Sequence, residues 1–290
     1  MKHIKLKAMA KINLGLDVIR RREDGYHEVS MVMQSIRLYD RIGIRIVQKP
    51  GITVATNLHY LPVNENNLVY KAAKLLMDEF AIDKGVHIEL EKHIPVAAGL
   101  AGGSSDAASV LFGINSLFSL ALTQEELMVR GKQIGADVPF CIMRGTALAE
   151  GIGEKLTPLP PMPKCYIVLA KPGISVSTKF VYQNLELEGI DSHPDMAALQ
   201  KSLAAGSLTD MAANMGNILE TVTVKHYPVI QELKDFMMDR GAIHAMMSGS
   251  GPTVFGIFKQ ENVAKKVYFQ LKKFPLAKQV FLTEAYQNIN

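Results

Sequence analysis

The chain has 290 residues, of which 48% are hydrophobic and 21% charged, and its formal net charge is +4. This composition is typical of a soluble globular protein and excludes a disordered or fibrous chain. The length suits two domains of ordinary size, each with its own core.

Charge and cysteine usage narrow the classes of partner. The basic runs at 20–22 and 272–273 are short and far apart, which favours solvated faces over a nucleic-acid footprint. Cys141 and Cys165 form no C-x-x-C pair, so neither a disulfide framework nor a structural zinc site is predicted. The first residues alternate charged and apolar side chains, and no run approaches the ~20 apolar residues of a membrane span. We therefore expect a cytoplasmic protein with no membrane or nucleic-acid partner.

The first predicted element is a half-buried strand over residues 10–18. Apolar side chains alternate there with Lys11, Asn13, Gly15 and Asp17. Lys11 and Asn13 therefore point the same way, either to solvent or into a cleft. Taken alone, Lys11 is an exposed strand lysine.

An Asp-Gly turn at 24–25 follows, and Tyr26 and His27 leave it directly. Such a pair can stack on a planar ring and hydrogen-bond its edge, or it can pack locally.

Strands are predicted at 42–47, 52–55 and 86–90, and a polar turn at 64–67 can cap a helix over residues 68–80.

A glycine-rich loop lies within residues 95–109, where three glycines and two serines separate an apolar run from a helical pattern. Glycine permits positive φ and a close approach of backbone to ligand, and the N–H groups of a following helix favour anions. Ser104 or Ser105 can cap that helix or help to hold Mg²⁺. The loop fits neither the Walker A pattern nor G-x-G-x-x-G. It is a phosphate-binding loop or a simple turn with an ordinary helix cap.

A second helix is predicted after Thr123, which forms a capping box with Glu126, and it ends at Gly135. Asp137 follows in a turn stiffened by Pro139. A loop aspartate of this kind is usually a turn-former, unless the fold brings it near phosphate.

Prolines cluster at 158–163, and we place the domain boundary there, with domains at 1–158 and 159–290.

The second half mixes strands and helices, as in a small antiparallel sheet with helices on one face. Strands are predicted at 166–170 and 280–285, and helices at 178–182, 197–205, 211–219, 228–239 and 263–272. A second glycine cluster, at 247–258, predicts a tight turn running into a strand.

Taken together, these motifs resemble the GHMP kinase superfamily of small-molecule kinases over nearly the whole chain. Residues 95–109 resemble its phosphate-binding loop, 10–15 its N-terminal strand motif and 247–256 its C-terminal glycine motif. Ala101 stands where the family often has glycine. The segments at 10–14, 24–27, 102–108 and 134–140 are similar to those of members whose alcohol substrate is a cytidine diphosphate-linked methylerythritol.

The resemblance implies a two-domain α+β and α/β fold. Its N-terminal domain is ribosomal-protein-S5-like and binds the nucleotide, its C-terminal domain is ferredoxin-like, and the active site lies between them. It also implies ATP-dependent phosphorylation of the 2-hydroxyl of the methylerythritol unit, with ATP and Mg²⁺ as cofactors. Asp137 would accept the hydroxyl proton, and Lys11 would keep Asp137 ionised and counter the charge of the transferring phosphoryl. Ser105 is the candidate Mg²⁺ ligand.

Binding roles follow from the same resemblance. Tyr26 and Tyr182 would contact the cytosine ring, with Phe180 as a rival of Tyr182, and His27 would read the edge of the base. Asn13 and Thr178 would be neighbouring polar contacts. The implied ATP-binding residues are Asn67 and the loop Pro95, Val96, Ala97, Ala98, Gly99, Leu100, Ala101, Gly102, Gly103, Ser104 and Ser105. We expect a monomer or weak homodimer. The alternatives are another GHMP kinase or a catalytically silent ligand sensor on this fold.

Overall fold

A computed structural model describes residues 2–188, 190 and 192–287. Its backbone groups into two compact units. The first unit comprises the residues up to Ala10, Leu38–Val96 and Ala101–Arg144. The second comprises Lys11–Arg37, Ala97–Leu100 and the described residues from Gly145 onward. This division follows backbone proximity, and a domain boundary between residues 158 and 159 stays a prediction.

Strands and helices are numbered in chain order. The strands are β1 His3–Arg21, β2 His27–Val47, β3 Ile52–Thr56, β4 Gly85–Glu91, β5 Thr146–Gly151, β6 Lys155–Pro158, β7 Tyr166–Pro172, β8 Gly216–Asn217, β9 His244–Met247, β10 Val254–Phe258 and β11 Ala277–Thr283. The helices are α1 Leu68–Glu79, α2 Gly102–Phe118, α3 Gln124–Ile134, α4 Val138–Met143, α5 Thr178–Gln183, α6 Met196–Ala204, α7 Leu208–Ala213, α8 Glu220–His226, α9 Val229–Met238 and α10 Glu261–Leu271.

In the first unit, β3 pairs in parallel with β4, and β4 pairs antiparallel with the last part of β2. Helices α1, α2, α3 and α4 pack on one another. Helix α2 approaches β2 closely at Gly113, where a Cβ would lie only 2.5 Å from Cδ1 of Ile44. Branched aliphatic side chains form the core around this contact, and they include Ile42, Ile44, Val86, Ile88, Val110, Leu111 and Ile114.

In the second unit, four antiparallel strands form a sheet in the order β11-β7-β10-β9. Helix α9 precedes β9, helix α10 lies between β10 and β11, and both pack on this sheet. This is the ferredoxin-like βαββαβ arrangement, with extra helices inserted after β7. The predicted antiparallel sheet is therefore confirmed.

The second unit also contains the first part of β2 and the last part of β1. Residues Val29–Gln34 of β2 pair antiparallel with β5, which pairs in turn with β6. Gly15 and Leu16 of β1 pair in parallel with β8. Strands β1 and β2 thus contribute residues to both units.

Helix caps are the best-predicted local features. Asn67 caps α1, Ser177 caps α5, and the capping box of Thr123 and Glu126 begins α3. Gly135 ends α3 as predicted, but its φ of 179° is extended rather than left-handed. The short helix α4, with Asp137 at its N-cap, was not predicted.

Three sequence predictions were wrong, the first two because a tertiary contact overrode a local pattern. Strand β1 is not half-buried, since every residue from 8 to 18 is buried. Residues 211–219 do not form one helix, because α7 ends at Ala213 and the next residues pair with β1 as β8. Neither Ser104 nor Ser105 caps α2, because the N-cap is Ala101.

Candidate active site

The glycine-rich loop enters α2 through a series of left-handed residues. The φ angles of Ala97, Gly99 and Ala101 are 50°, 73° and 53°. Ala101 is the N-cap, no side chain caps the helix there, and its first turn contains no acidic residue. The first N–H groups of a helix have no partner within it and carry partial positive charge. This terminus is therefore suited to an anion.

The two serines of this turn have different environments. Ser105 is 2% exposed and its N–H donates to the Ala101 carbonyl oxygen over 2.9 Å, so it lies inside the helix. Ser104 is partly exposed. A Cβ at Gly135 would lie 3.9 Å from Ser104 Oγ, so the turn that leads to Asp137 lies beside Ser104 in the first unit.

Asp137 is partly exposed and begins α4. Its carbonyl oxygen accepts the Cys141 N–H over 3.1 Å, and its side chain makes no cap hydrogen bond. The N–H of Val138 donates to the Gly135 carbonyl oxygen, which closes a tight turn around Asp137. The carboxylate is therefore held on a fixed backbone without being engaged as a cap.

Lys11 is 5% exposed, so the exposed strand lysine of the local interpretation is not found. Its Nζ donates to Asn13 Oδ1 over 2.7 Å, and Asn13 Nδ2 contacts the Met31 sulfur at 3.4 Å. The backbone N–H of Lys11 donates to the Leu100 carbonyl oxygen over 3.1 Å. Within the second unit, the structure therefore brings Lys11 together with residue Leu100 of the glycine-rich loop.

The second glycine cluster contacts Gly99 of the glycine-rich loop and lies close to Lys11. Ser248 Oγ donates to the Gly99 carbonyl oxygen over 2.9 Å. A Cβ at Gly249 would lie 3.3 Å from that oxygen and 3.6 Å from Lys11 Nζ. Asn217 Nδ2 donates to the carbonyl oxygens of Met247 and Gly249, which holds the turn in place. The cluster is a hairpin loop between β9 and β10 and also supports the glycine-rich loop at Gly99.

Two of the residues predicted to bind the cytosine, His27 for its edge and Tyr182 for its ring, contact each other. The rings of His27 and Tyr182 lie 5.0 Å apart between centroids, tilted by 35°. Phe180 instead contacts His226 edge-on at 5.1 Å. Burial, followed by the charge of Arg21, lowers the pKa of His27, which favours the neutral imidazole. Tyr26 is 61% exposed.

Thr178 and Asn67, two further residues predicted to contact ligands, form hydrogen bonds within the protein. The hydroxyl of Thr178 lies 2.8 Å from that of Ser250, in the loop of the second glycine cluster. Asn67 accepts the Val69 N–H with Oδ1 and donates to the Pro62 carbonyl oxygen with Nδ2.

The predicted residues thus divide between the two units. Asp137, Asn67, the two ends of the loop and the start of α2 belong to the first, whereas Lys11, Asn13, Tyr26, His27, Thr178 and Tyr182 belong to the second.

Two family models match the chain. The GHMP kinases N terminal domain matches residues 67–145, and the GHMP kinases C terminal model matches residues 196–276. A 4-diphosphocytidyl-2-C-methyl-D-erythritol kinase of Lachnoclostridium phytofermentans is 53% identical over 287 residues, covering 99% of each chain. One from Lachnospira eligens is 54% identical over 286 residues, again covering 99% of each chain.

This chain belongs to the 4-diphosphocytidyl-2-C-methyl-D-erythritol kinases, within the GHMP kinase family.

Solved structures show the same fold. A crystal structure of 4-(cytidine 5'-diphospho)-2C-methyl-D-erythritol kinase superimposes with a TM-score of 0.84 at 33% identity, covering 97% of this chain and 99% of that one. A homoserine kinase from Cytophaga hutchinsonii superimposes with a TM-score of 0.79 at 20% identity, covering 99% and 96%. The predicted two-domain GHMP kinase fold is confirmed. Among the described residues, no helix is long and apolar enough to cross a membrane.

Sequence reasoning assigned no role to several buried polar residues around the glycine-rich loop and the second glycine cluster. Ser248 is buried and donates to the Gly99 carbonyl oxygen, and Asn217 is buried and donates to the Gly249 carbonyl oxygen of the second glycine cluster. Lys92 lies just before the loop and is also buried. Asn217 and Ser248 are polar residues inside an apolar or glycine-rich stretch, and this pattern could have indicated a buried role. The hydrogen-bond partners, however, lie too far along the chain to be identified from spacing.

Proposed function

We propose that this chain transfers the γ-phosphoryl group of ATP to the 2-hydroxyl of 4-diphosphocytidyl-2-C-methyl-D-erythritol, giving the 2-phosphate and ADP. The observation that carries the proposal is the 53% identity, across 99% of both chains, to a kinase of that name. GHMP kinases use ATP as phosphate donor, so the coarser activity of a small-molecule kinase follows from family membership.

ATP phosphates are assigned to the phosphate-binding loop, residues 95–105, and the adenine side to Asn67. The uncapped N-terminus of α2, without acidic residues in its first turn, fits a polyanion. Mg²⁺ usually binds through one or two side chains together with substrate phosphates, and it would neutralise charge on the transferring group. Ser105 is the proposed protein ligand, although its burial makes the neighbouring Ser104 the more accessible hydroxyl.

Asp137 is assigned the role of accepting the proton of the 2-hydroxyl as the alcohol oxygen bonds to the γ-phosphorus. The bond from phosphorus to the β–γ bridging oxygen breaks, and ADP leaves with that oxygen. Lys11 is assigned the role of countering negative charge on the transferring phosphoryl. Because the transition state of such reactions is loose, most of the acceleration comes from positioning and charge stabilisation. Two buried contacts of Lys11 support this role, since its backbone N–H is bonded to Leu100 of the loop and its ammonium is held by Asn13.

The cytidine end of the substrate is assigned to the ring pair of His27 and Tyr182 with the exposed Tyr26. An aromatic ring binds the face of a base, and the neutral imidazole of His27 offers both a donor and an acceptor to its edge. Thr178 and Asn13 are the proposed neighbouring polar contacts. The tilted contact between His27 and Tyr182 favours Tyr182 over Phe180 as the ring partner.

Coupled measurement of ADP release tests the substrate assignment. Turnover is expected with 4-diphosphocytidyl-2-C-methyl-D-erythritol and not with homoserine, mevalonate or galactose. Turnover of one of those alcohols without turnover of the cytidyl substrate would indicate another GHMP kinase. Binding of the cytidyl compound without any ADP release would indicate a ligand sensor.

A substitution tests the role of Asp137. Asp137→Asn keeps the size and removes the proton acceptor, so kcat should fall by about 10²–10⁴-fold with little change in KM. Asp83→Asn, at an exposed position in the same unit, is the matched control and should leave kcat unchanged. An Asp137→Asn enzyme with the kcat of this control would remove Asp137 from the role of base.

A cytoplasmic location and a monomer or weak homodimer stay predictions.

A further inference from the structure

A charged cluster lies buried beneath the phosphate-binding loop in the first unit. The Lys92 side chain is 4% exposed, and its Nζ donates to Oδ2 of Asp40 and, over 2.7 Å, to Oδ2 of Asp106. The carboxylates of Asp40 and Asp106 are equally buried. Residues from β2 and α2 therefore meet the ammonium group of Lys92, the residue directly after β4.

The cluster holds the chain on both sides of the loop. Oδ1 of Asp40 accepts the backbone N–H groups of His93 and Ile94, over 2.5 and 2.8 Å, immediately before the loop begins at Pro95. Asp106 lies in α2 just after the loop ends. The bond from Lys92 to Asp106 therefore joins the entry of the loop to its exit.

The ammonium group also lies close to the anion-binding end of α2. A Cβ at Gly102 would be 3.1 Å from Lys92 Nζ and 3.1 Å from Cγ2 of Ile94. A Cβ at the first position of α2 would therefore push Lys92 or Ile94 by a few tenths of an ångström. Gly102 allows the helix to start directly over the cluster.

The cluster has features of a positioning device rather than a source of stability. A buried ion pair contributes little net stability, because the desolvation of the charges offsets their attraction. Two carboxylates share one ammonium here, and Asp106 Oδ1 is buried without a hydrogen-bond partner among the described residues. Burial and the neighbouring Asp40 raise the pKa of Asp106 well above its usual range. What the arrangement supplies is a fixed distance between the two ends of the loop.

We propose that Lys92, held between Asp40 and Asp106, positions the phosphate-binding loop for ATP by joining its entry to its exit. The inference rests on the proposed function, because it takes the loop as the site of the ATP phosphates. Lys92 and Asp106 are positioning residues, since they contact each other and the loop ends. Loosening the cluster should therefore weaken nucleotide binding and leave the affinity for the alcohol substrate unchanged.

Asp106→Ala is the decisive variant, because it cuts the cross-link and leaves the pair of Lys92 with Asp40 intact. We expect the Kd for ADP, measured by calorimetry, and the KM for ATP to rise about tenfold, with the KM for the cytidyl substrate within twofold of wild type. Asp106→Asn should restore both values, because its amide oxygen can accept from Lys92. Lys92→Met removes the cross-link from the other side and should give the same selective loss.

Lys74→Met is the matched control. It removes an exposed lysine that pairs with Asp78 over 2.8 Å on α1 in the same unit, and it should change neither constant. ADP binding by Asp106→Ala and Lys92→Met as tight as wild type would overturn this inference alone. An equal loss of nucleotide and alcohol affinity would overturn it as well, because that is the mark of general unfolding. A wild-type chain that binds no ADP would instead overturn the proposed function, and this inference with it.

Discussion

Gly99→Ala tests whether the proposed phosphate-binding loop depends on its support by the second glycine cluster. Gly99 has a φ of +73°, and a Cβ there would lie 2.1 Å from the Ser248 carbonyl oxygen and 3.2 Å from that of Gly251. Ordinary contacts of a Cβ begin at 3.4 Å, so two backbone segments must separate by more than an ångström. Ser248 Oγ also donates to the Gly99 carbonyl oxygen, so this separation breaks a hydrogen bond.

The energetic cost has two parts. A left-handed alanine costs about 1–2 kcal/mol relative to glycine. Overpacking a tight contact costs typically about 1–3 kcal/mol more. Gly206→Ala isolates the first part, because Gly206 has a φ of +65° and a Cβ added there would have no heavy atom within 4 Å. Gly99→Ala should therefore lose about 2–5 kcal/mol, and Gly206→Ala only about 1–2 kcal/mol.

Thermal melting and steady-state kinetics separate the two variants. At roughly 2–4 °C per kcal/mol for a chain of this size class, Gly99→Ala should melt several degrees below Gly206→Ala. Its KM for ATP should also rise, whereas that of Gly206→Ala should match wild type. Equal melting temperatures together with an unchanged KM for ATP would refute the argument that the two glycine segments support each other.

Two further predictions concern backbone strain and pH. Ala101 occupies the left-handed region with a φ of 53°, so Ala101→Gly should raise stability by about 1 kcal/mol in a melting experiment, and a destabilised variant would contradict this. Burial, followed by the charge of Lys234, lowers the pKa of His244 to about 4 from 6.5, so the unfolded chain binds the extra proton and stability falls as pH drops from 6.5 to 4. His244→Gln should remove about 2 kcal/mol of this fall, measured as the difference in unfolding free energy between pH 7 and pH 4.5, and parallel pH curves would refute it.

Much of the local structure was predictable, because helix caps and periodicity are encoded by residues a few positions apart. The capping box of Thr123 and Glu126, the cap at Asn67 and the helix after the glycine-rich loop are examples. The candidate residues of the family motifs were also identifiable by pattern. In contrast, the N-cap of α2 at Ala101 was missed, since a left-handed alanine is an uncommon N-cap.

Lys11 shows what the sequence left open. Alternation along β1 indicated a half-buried strand and an exposed lysine, but residues 8–18 are all buried, and Met196 and Leu199 of α6 pack against the polar face of the strand at Gly15. Leu16 of β1 pairs with Asn217, which lies about two hundred residues further along the chain, and no spacing rule connects these two positions. The role of Asn217 in holding the turn at Gly249 was invisible for the same reason.

The sequence by itself determined the family, the loop and the residue types that suit phosphoryl transfer, because glycines, caps and short motifs act through the local backbone. Only the tertiary structure decided which of these residues are buried and what they contact. The cluster of Asp40, Lys92 and Asp106 is the clearest case, since its members are separated by 52 and 14 residues. Charges so far apart along the chain meet only when strands and helices pack, and the low-dielectric interior then makes each contact strong and each missing partner costly.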